Sequence, residues 1–262
     1  EIQKVISQVI QPNNNWITDY ETFGVNGTNN GSIEISTVPP INLEKRLNYL
    51  IKYPHGCIEQ TTSAAFPQLY LTKLTEINNQ KKAEVQKNIR EALWKLKSFQ
   101  TRSGGFSYWP SHYSQESEWG TNYAGHFMIE AKNMGYQLPI GLLEKWIKYQ
   151  TTKANDWHLY TNIESHHITQ SSELNQAYRL YVLALADKPA ISAMNKMRNY
   201  SDLSNIAKWR LAAAYTLIGR KDVAEDLLYR LSTKVEKYET WVEHLSFFWG
   251  CYRASDRARP SR

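Results

Sequence analysis

Two side chains near position 60 hold the chemistry available to this sequence. Cys57, one of only two cysteines, stands three residues before Gln60 in the stretch Tyr53-Pro54-His55-Gly56-Cys57-Ile58-Glu59-Gln60-Thr61-Thr62-Ser63. Pro54 and Gly56 make the approach a turn. The apolar, alanine-containing residues beyond it predict a helix that begins near Cys57. A thiol at a helix N-terminus lies among unpaired backbone N–H groups, which favour thiolate, the reactive form. Gln60 is about one helical turn further on, within side-chain reach. The Cys57 sulfur can therefore attack the Gln60 side-chain carbonyl and expel ammonia, closing an internal thioester. An isolated cysteine is more often a buried, inert thiol; the spacing to Gln60 reverses that preference.

The elements that must position this pair read as helices. Pro39-Pro40 is a boundary, and Asn42 can cap a helix whose Leu43, Leu47, Leu50 and Ile51 share one face. The helix from Cys57 is expected to run to about Thr75 with a bend at Pro67. Another is expected from Asn79 to Gln100, with the stripe Val85, Ile89, Leu93, Leu96 and Phe99. The loop Thr101-Arg102-Ser103-Gly104-Gly105-Phe106-Ser107-Tyr108-Trp109-Pro110 reads as a packing device, in which glycines let backbones approach and rings cover a helix end. Trp119–Met134 predicts a helix stopped by Gly135, and Pro139 suits the first turn of the next. The span 151–169 has no clean period and reads as a loop holding His158, His166 and His167. Ser172 then caps a helix, and others follow from Lys188-Pro189, over 203–218, and from Asp222 to about Ser232.

Successive helical hairpins with short links predict an all-α fold that suits an α/α toroid or solenoid; the family resemblance described below implies the toroid, here incomplete. A short β segment precedes it: Ser32-Ile33-Glu34-Ile35-Ser36 alternates with period two. The expected division is 1–38, a short β segment or linker, which the family resemblance described below makes the tail of a preceding β-rich domain; 39–237, the helical domain; and 238–262, an irregular tail, basic and helix-poor, which the same resemblance makes truncated or non-native.

Composition narrows the function classes. The 262 residues, 42% of them hydrophobic, can build one large domain or two small ones. The net charge of +6 is spread along the chain with no Lys/Arg block, so nucleic acid is not indicated as a partner. No apolar run approaches the roughly 20 residues of a membrane span. Two cysteines in unlike contexts do not make a disulfide framework. Glu1 is not an initiator methionine and no signal peptide is visible, so the chain is expected to be a piece of something longer.

Gly56-Cys57-Ile58-Glu59-Gln60 resembles the thioester motif of the alpha-2-macroglobulin and complement family, a glycine-cysteine-any-glutamate-glutamine run. Val38-Pro39-Pro40 partly matches the family's leucine-proline-proline lead-in. Ile41 to Ile51 is similar to the lead-in of bacterial members, and Pro67 stands where other members also carry a proline. The resemblance implies that Cys57 and Gln60 form the thioester, with Pro54, Gly56 and Glu59 as supporting motif residues. It implies an exported, periplasmic or cell-surface protease trap rather than an enzyme. The partners would be target proteases, coupled through their lysines, and neighbouring macroglobulin-like and CUB-like domains of the parent chain. No metal or organic cofactor is implied. Some complement members use a downstream histidine to redirect the acyl group to hydroxyls, which makes His166 and His167 candidates. Tyr53, Tyr108 and Trp109 are candidate covers of the bond. His55 reads as part of the motif turn and His126 as a core histidine.

Other classes share these features. Glycine-aromatic loops also occur in α/α-toroid prenyltransferases and terpene cyclases; cyclases need aspartate-rich motifs, and no two aspartates are adjacent here. A toroid glycosidase needs two facing carboxylates. A cysteine hydrolase would pair Cys57 with His126 or His167. An interaction scaffold needs none of this chemistry.

Overall fold

The apolar stripes of the sequence become helices, and polar residues close several of their first turns. The computed structural model describes residues 50–74, 77–110, 115–158, 166–229 and 231, with a discontinuous set between Lys4 and Ile35. The helices are α1 (Ile58–Ala65), α2 (Leu71–Leu74) after a 3-10 turn at Pro67–Tyr70, α3 (Asn79–Phe99), α4 (Glu118–Asn133), α5 (Leu142–Asp156), α6 (His166–Leu185), α7 (Ile191–Arg198), α8 (Asn205–Leu217) and α9 (Lys221–Leu228). Side chains of α6 are described from Glu173 onward.

Asn78 caps α3 by accepting from the Lys81 N–H at 2.9 Å. Ser117 caps α4 and Ser204 caps α8 in the same way. Asn78→Ala is expected to lower stability by about 1 kcal/mol in denaturant unfolding, with the site described below unaffected.

The order of packing makes the toroid. α1 packs on α4, α4 on α6, and α6 on α8, so alternate helices form one layer. The intervening helices lie against that layer: α3 touches α1 and α4, α5 touches α6, and α9 touches α8. The core runs between the layers through Ile58, Leu93, Leu96, Phe99, Phe127, Met128, Trp146, Leu180, Leu183, Leu211 and Tyr215, all fully or almost fully buried. A buried polar network ties the layers together. The Arg179 guanidinium donates to the side-chain carbonyls of Gln150 at 3.0 Å and Gln176 at 2.6 Å, and reaches Glu118 at 3.4 Å. Burial pushes the Arg179 pKa down, and the neighbouring Glu118 opposes that shift.

Several sequence expectations shift. The helix from Cys57 breaks rather than bends: α1 ends at Ala65, and Pro67 opens the 3-10 turn, because a proline has no N–H for the α ladder and crowds the preceding turn. Both ends of the span 151–169 are helical rather than loop. α5 continues to Asp156 and α6 begins at His166, so Ser172 lies inside a helix and is not its cap. Polar residues at the end of α5 hid the period there. Pro139 lies before α5, which instead starts after Gly141. No strand occurs among the described residues. Ile33 and Ile35 are exposed, and Ser32, Glu34 and Ser36 of the expected strand lie outside the described residues. The expected helix from Asn42 and the tail from 238 lie outside the described residues.

Candidate functional site

The motif forms a tight turn into α1. Gly56 has φ +87°, a conformation that side-chain-bearing residues adopt at a cost. Cys57 follows as the extended N-cap of α1 and is fully buried. Gln60 folds back over this N-terminus. Its side-chain carbonyl accepts a hydrogen bond from the Cys57 N–H at 3.1 Å, and the Gln60 N–H in turn faces the Cys57 side chain, a reciprocal capping box. Sulfur and acyl carbon are thus held on one helical turn. The Cys57 N–H is aimed at the oxygen that takes up negative charge when that carbonyl is attacked, the placement of an oxyanion donor. The space for this exists because residue 56 has no side chain: a Cβ there would overlap the Gln60 Oε1 and come within 2.8 Å of its Cδ.

Distant elements fix the turn. The Ile58 N–H donates to the Tyr108 carbonyl at 3.1 Å, so the glycine-aromatic loop satisfies an orphan donor of the α1 N-terminus. The Tyr108 hydroxyl donates to Glu59 Oε2 at 3.1 Å, a second clamp from the same residue. Gly120 of α4 lets α1 approach, since a Cβ there would meet Ile58 Cγ2 at 2.8 Å. The Lys95 ammonium on α3 donates to the Pro54 carbonyl at 3.1 Å. Buried Gln68 donates to the carbonyls of Lys52 and Ala64, both at 2.8 Å, strapping the incoming chain to the end of α1; Asn88 donates to Gln68 at 3.1 Å. Tyr108→Phe removes the clamp on Glu59 and is expected to cost about 1 kcal/mol in unfolding measurements, as for a typical partly exposed hydrogen bond.

The remaining candidate residues fall in different places. Tyr108 is half-buried against the motif, whereas Trp109 is 54% exposed and meets Tyr108 edge-on. Tyr53 is exposed, with its ring packed against that of His55 at 4.4 Å between centroids. His166 and His167 open α6; their side chains lie outside the described residues. His126 is not brought to Cys57. Its ring packs edge-on against Phe66, Nδ1 pairs with the Tyr178 hydroxyl at 3.0 Å, and Nε2 faces Glu130 at 3.8 Å. Phe66 follows the far end of α1, about 12 Å along an eight-residue helix. A Cys57–His126 hydrolase pair is therefore contradicted. Burial lowers the His126 pKa, against the opposing pull of Glu130. Sequence reasoning missed Lys95, Gln68 and Asn88. Lys95 lies 41 positions from its partner Pro54, and no local pattern signals a contact of that span.

Comparison with known proteins bears on the same stretch. Residues 31–149 match the family model described as the A-macroglobulin TED domain. Alpha-2-macroglobulin of Escherichia coli is 25% identical over 171 residues, 64% of this chain and 10% of that protein. Alpha-2-macroglobulin of Rickettsia conorii is 28% identical over 198 residues, 71% of this chain and 10% of that protein. This chain thus spans about a tenth of the length of such relatives. Among solved structures, Salmonella alpha-2-macroglobulin reacted with methylamine superposes with a TM-score of 0.62 at 26% identity, covering 73% of this chain and 13% of that one. Native E. coli alpha-2-macroglobulin, solved over a portion reaching its C-terminus, superposes at 0.61 and 24% identity, covering 72% of this chain and 30% of that one, a likeness in fold. With the helical-toroid fold and the glycine-cysteine-any-glutamate-glutamine turn into α1, these matches make residues 31–149 similar to the TED domain of the A-macroglobulins, within a chain that resembles bacterial alpha-2-macroglobulins over a wider span.

Proposed function

We propose that Cys57 and Gln60 close an internal thioester, and that this domain is the acylating unit of a protease-trapping inhibitor rather than an enzyme. The observation that carries the reading is the capping box, which holds the Gln60 carbonyl over the Cys57 N–H at 3.1 Å beside a fully buried thiol. Thioester closure forms the Sγ–Cδ bond and releases ammonia. Later attack by an amine forms an amide at Cδ and returns the electron pair to Sγ. A bond of this kind must be kept from water, and burial of Cys57 serves that end. Each domain reacts once, so stoichiometric labelling rather than turnover is the expected kinetic signature.

The relatives support the substrate class. One solved Salmonella relative was reacted with methylamine, and one from E. coli was activated by trypsin. By extension, the nucleophile here is an amine, in function a lysine of an attacking protease. The parent protein works outside the cytoplasm, in the periplasm or at the cell surface, together with further macroglobulin-like and CUB-like domains. Tyr53, Tyr108 and Trp109 serve as covers, with Tyr108 also gripping Glu59. His166 and His167, at the start of α6, are the candidates for steering the acyl group to hydroxyls.

Intact mass of the freshly purified full-length protein tests the reading. The expected mass is one ammonia below that encoded. Methylamine should add once and release one titratable thiol. An encoded mass with Cys57 already titratable would overturn it.

A further inference from the structure

We propose that Lys95 is the charge-compensating partner of the Cys57 sulfur during acyl transfer, a positioning residue on a separate helix from the motif. The inference rests on the thioester reading and adds to it a means for the leaving group to depart.

The problem it solves is electrostatic. When an amine attacks Cδ of Gln60, the N–Cδ bond forms and the Cδ–Sγ bond breaks. The pair remains on Sγ, and the proton shed by the amine passes to solvent. Cys57 is fully buried, so the departing sulfur acquires a negative charge where water cannot solvate it. An uncompensated buried charge is strongly disfavoured, and a nearby cation removes much of that penalty.

Lys95 is placed to supply the cation. It lies on α3 between buried Leu93, Leu96 and Phe99, which fix the side of the helix it leaves from. Its ammonium is 5.9 Å from the Phe99 ring centroid, so the stem runs along apolar surface instead of extending into water. The head donates to the Pro54 carbonyl at 3.1 Å, three residues before Cys57 and on the same turn. This bond uses one of three ammonium donors. Burial lowers the Lys95 pKa, and the nearby Cys57 opposes that shift. Of the other basic residues of the motif segment, Lys52 is exposed, and His55 is exposed and packed on Tyr53. Glu59, the carboxylate of the motif, is held by Tyr108.

The test uses the full-length protein with Lys95→Gln and Lys95→Arg. Intact mass gives the fraction that is one ammonia light. The rate of thiol release on adding methylamine, followed across pH, gives the acyl-transfer step. Thermal unfolding checks both folds; should Lys95→Gln unfold, Lys95→Met replaces it, since its apolar stem keeps the packing on Phe99. The neutral variant is expected to slow thiol release about tenfold, a modest share of what a nearby unit charge supplies at intermediate dielectric. Lys95→Arg should recover most of the rate. Equal rates and pH profiles in wild type and the folded neutral variant would overturn the role of Lys95, as would Lys95→Arg being as slow as the neutral variant. Wild-type protein that is not ammonia-light and takes up no methylamine would instead overturn the thioester reading itself.

Discussion

Cys57→Ala is expected to abolish covalent capture completely while leaving the helices in place. The variant should have its encoded mass, with no ammonia lost, because Gln60 has no sulfur to attack it. It should incorporate no methylamine and form no amide with a protease lysine. The structural effect is small by comparison. Removing a buried sulfur leaves a cavity of one atom, worth about 1 kcal/mol against the larger penalties of Leu→Ala substitutions. Helical circular dichroism and the unfolding midpoint report the second effect, and intact mass reports the first. Capture that persists in this variant would place the reactive group elsewhere in the protein.

Gly56→Ala should have the next largest effect, and it acts without touching either reacting atom. Two costs combine. At φ +87° an alanine pays roughly 1–2 kcal/mol for the left-handed conformation. Its Cβ would also overlap the Gln60 side-chain oxygen, so that side chain must swing off the Cys57 N–H. The swing removes both the reach to sulfur and the hydrogen bond that polarises the carbonyl. Since about 1.4 kcal/mol is tenfold in an equilibrium, the ammonia-light fraction is expected to fall by at least about tenfold. The thiol stays titratable and the helical spectrum is retained. Mass spectrometry of protein made in parallel with wild type reads this directly. An unchanged ammonia-light fraction would mean that Gln60 reacts from another rotamer than the one folded over Gly56.

The geometry of the Cys57–Gln60 turn was legible from short spacing. A cysteine after a proline–glycine turn, three residues before a glutamine, leaves the chain few geometries once a helix starts there. The N-cap position of Cys57 and the one-turn reach of Gln60 follow from helical periodicity. The apolar stripe of α3 and the stop at Gly135 were legible for the same reason, since local sequence sets local backbone. Helix limits were less so: α5 runs on to Asp156 through polar, solvent-facing residues that carry no hydrophobic period, and α6 starts six residues before Ser172.

What holds the reacting turn was not in the local pattern. Lys95 meets the Pro54 carbonyl across 41 positions, and the Tyr108 hydroxyl meets Glu59 across 49. Such pairs are made by packing α3 and the glycine-aromatic loop against α1, and many unrelated residue pairs of the same types never meet. The sequence by itself therefore determined the proposed reacting pair and the proline–glycine turn before it, because those depend on one turn of backbone. The surroundings of the sulfur, its burial and the Lys95 ammonium bound to the Pro54 carbonyl of the same turn, were decided by tertiary structure, because burial and charge are properties of neighbours that only the fold brings together.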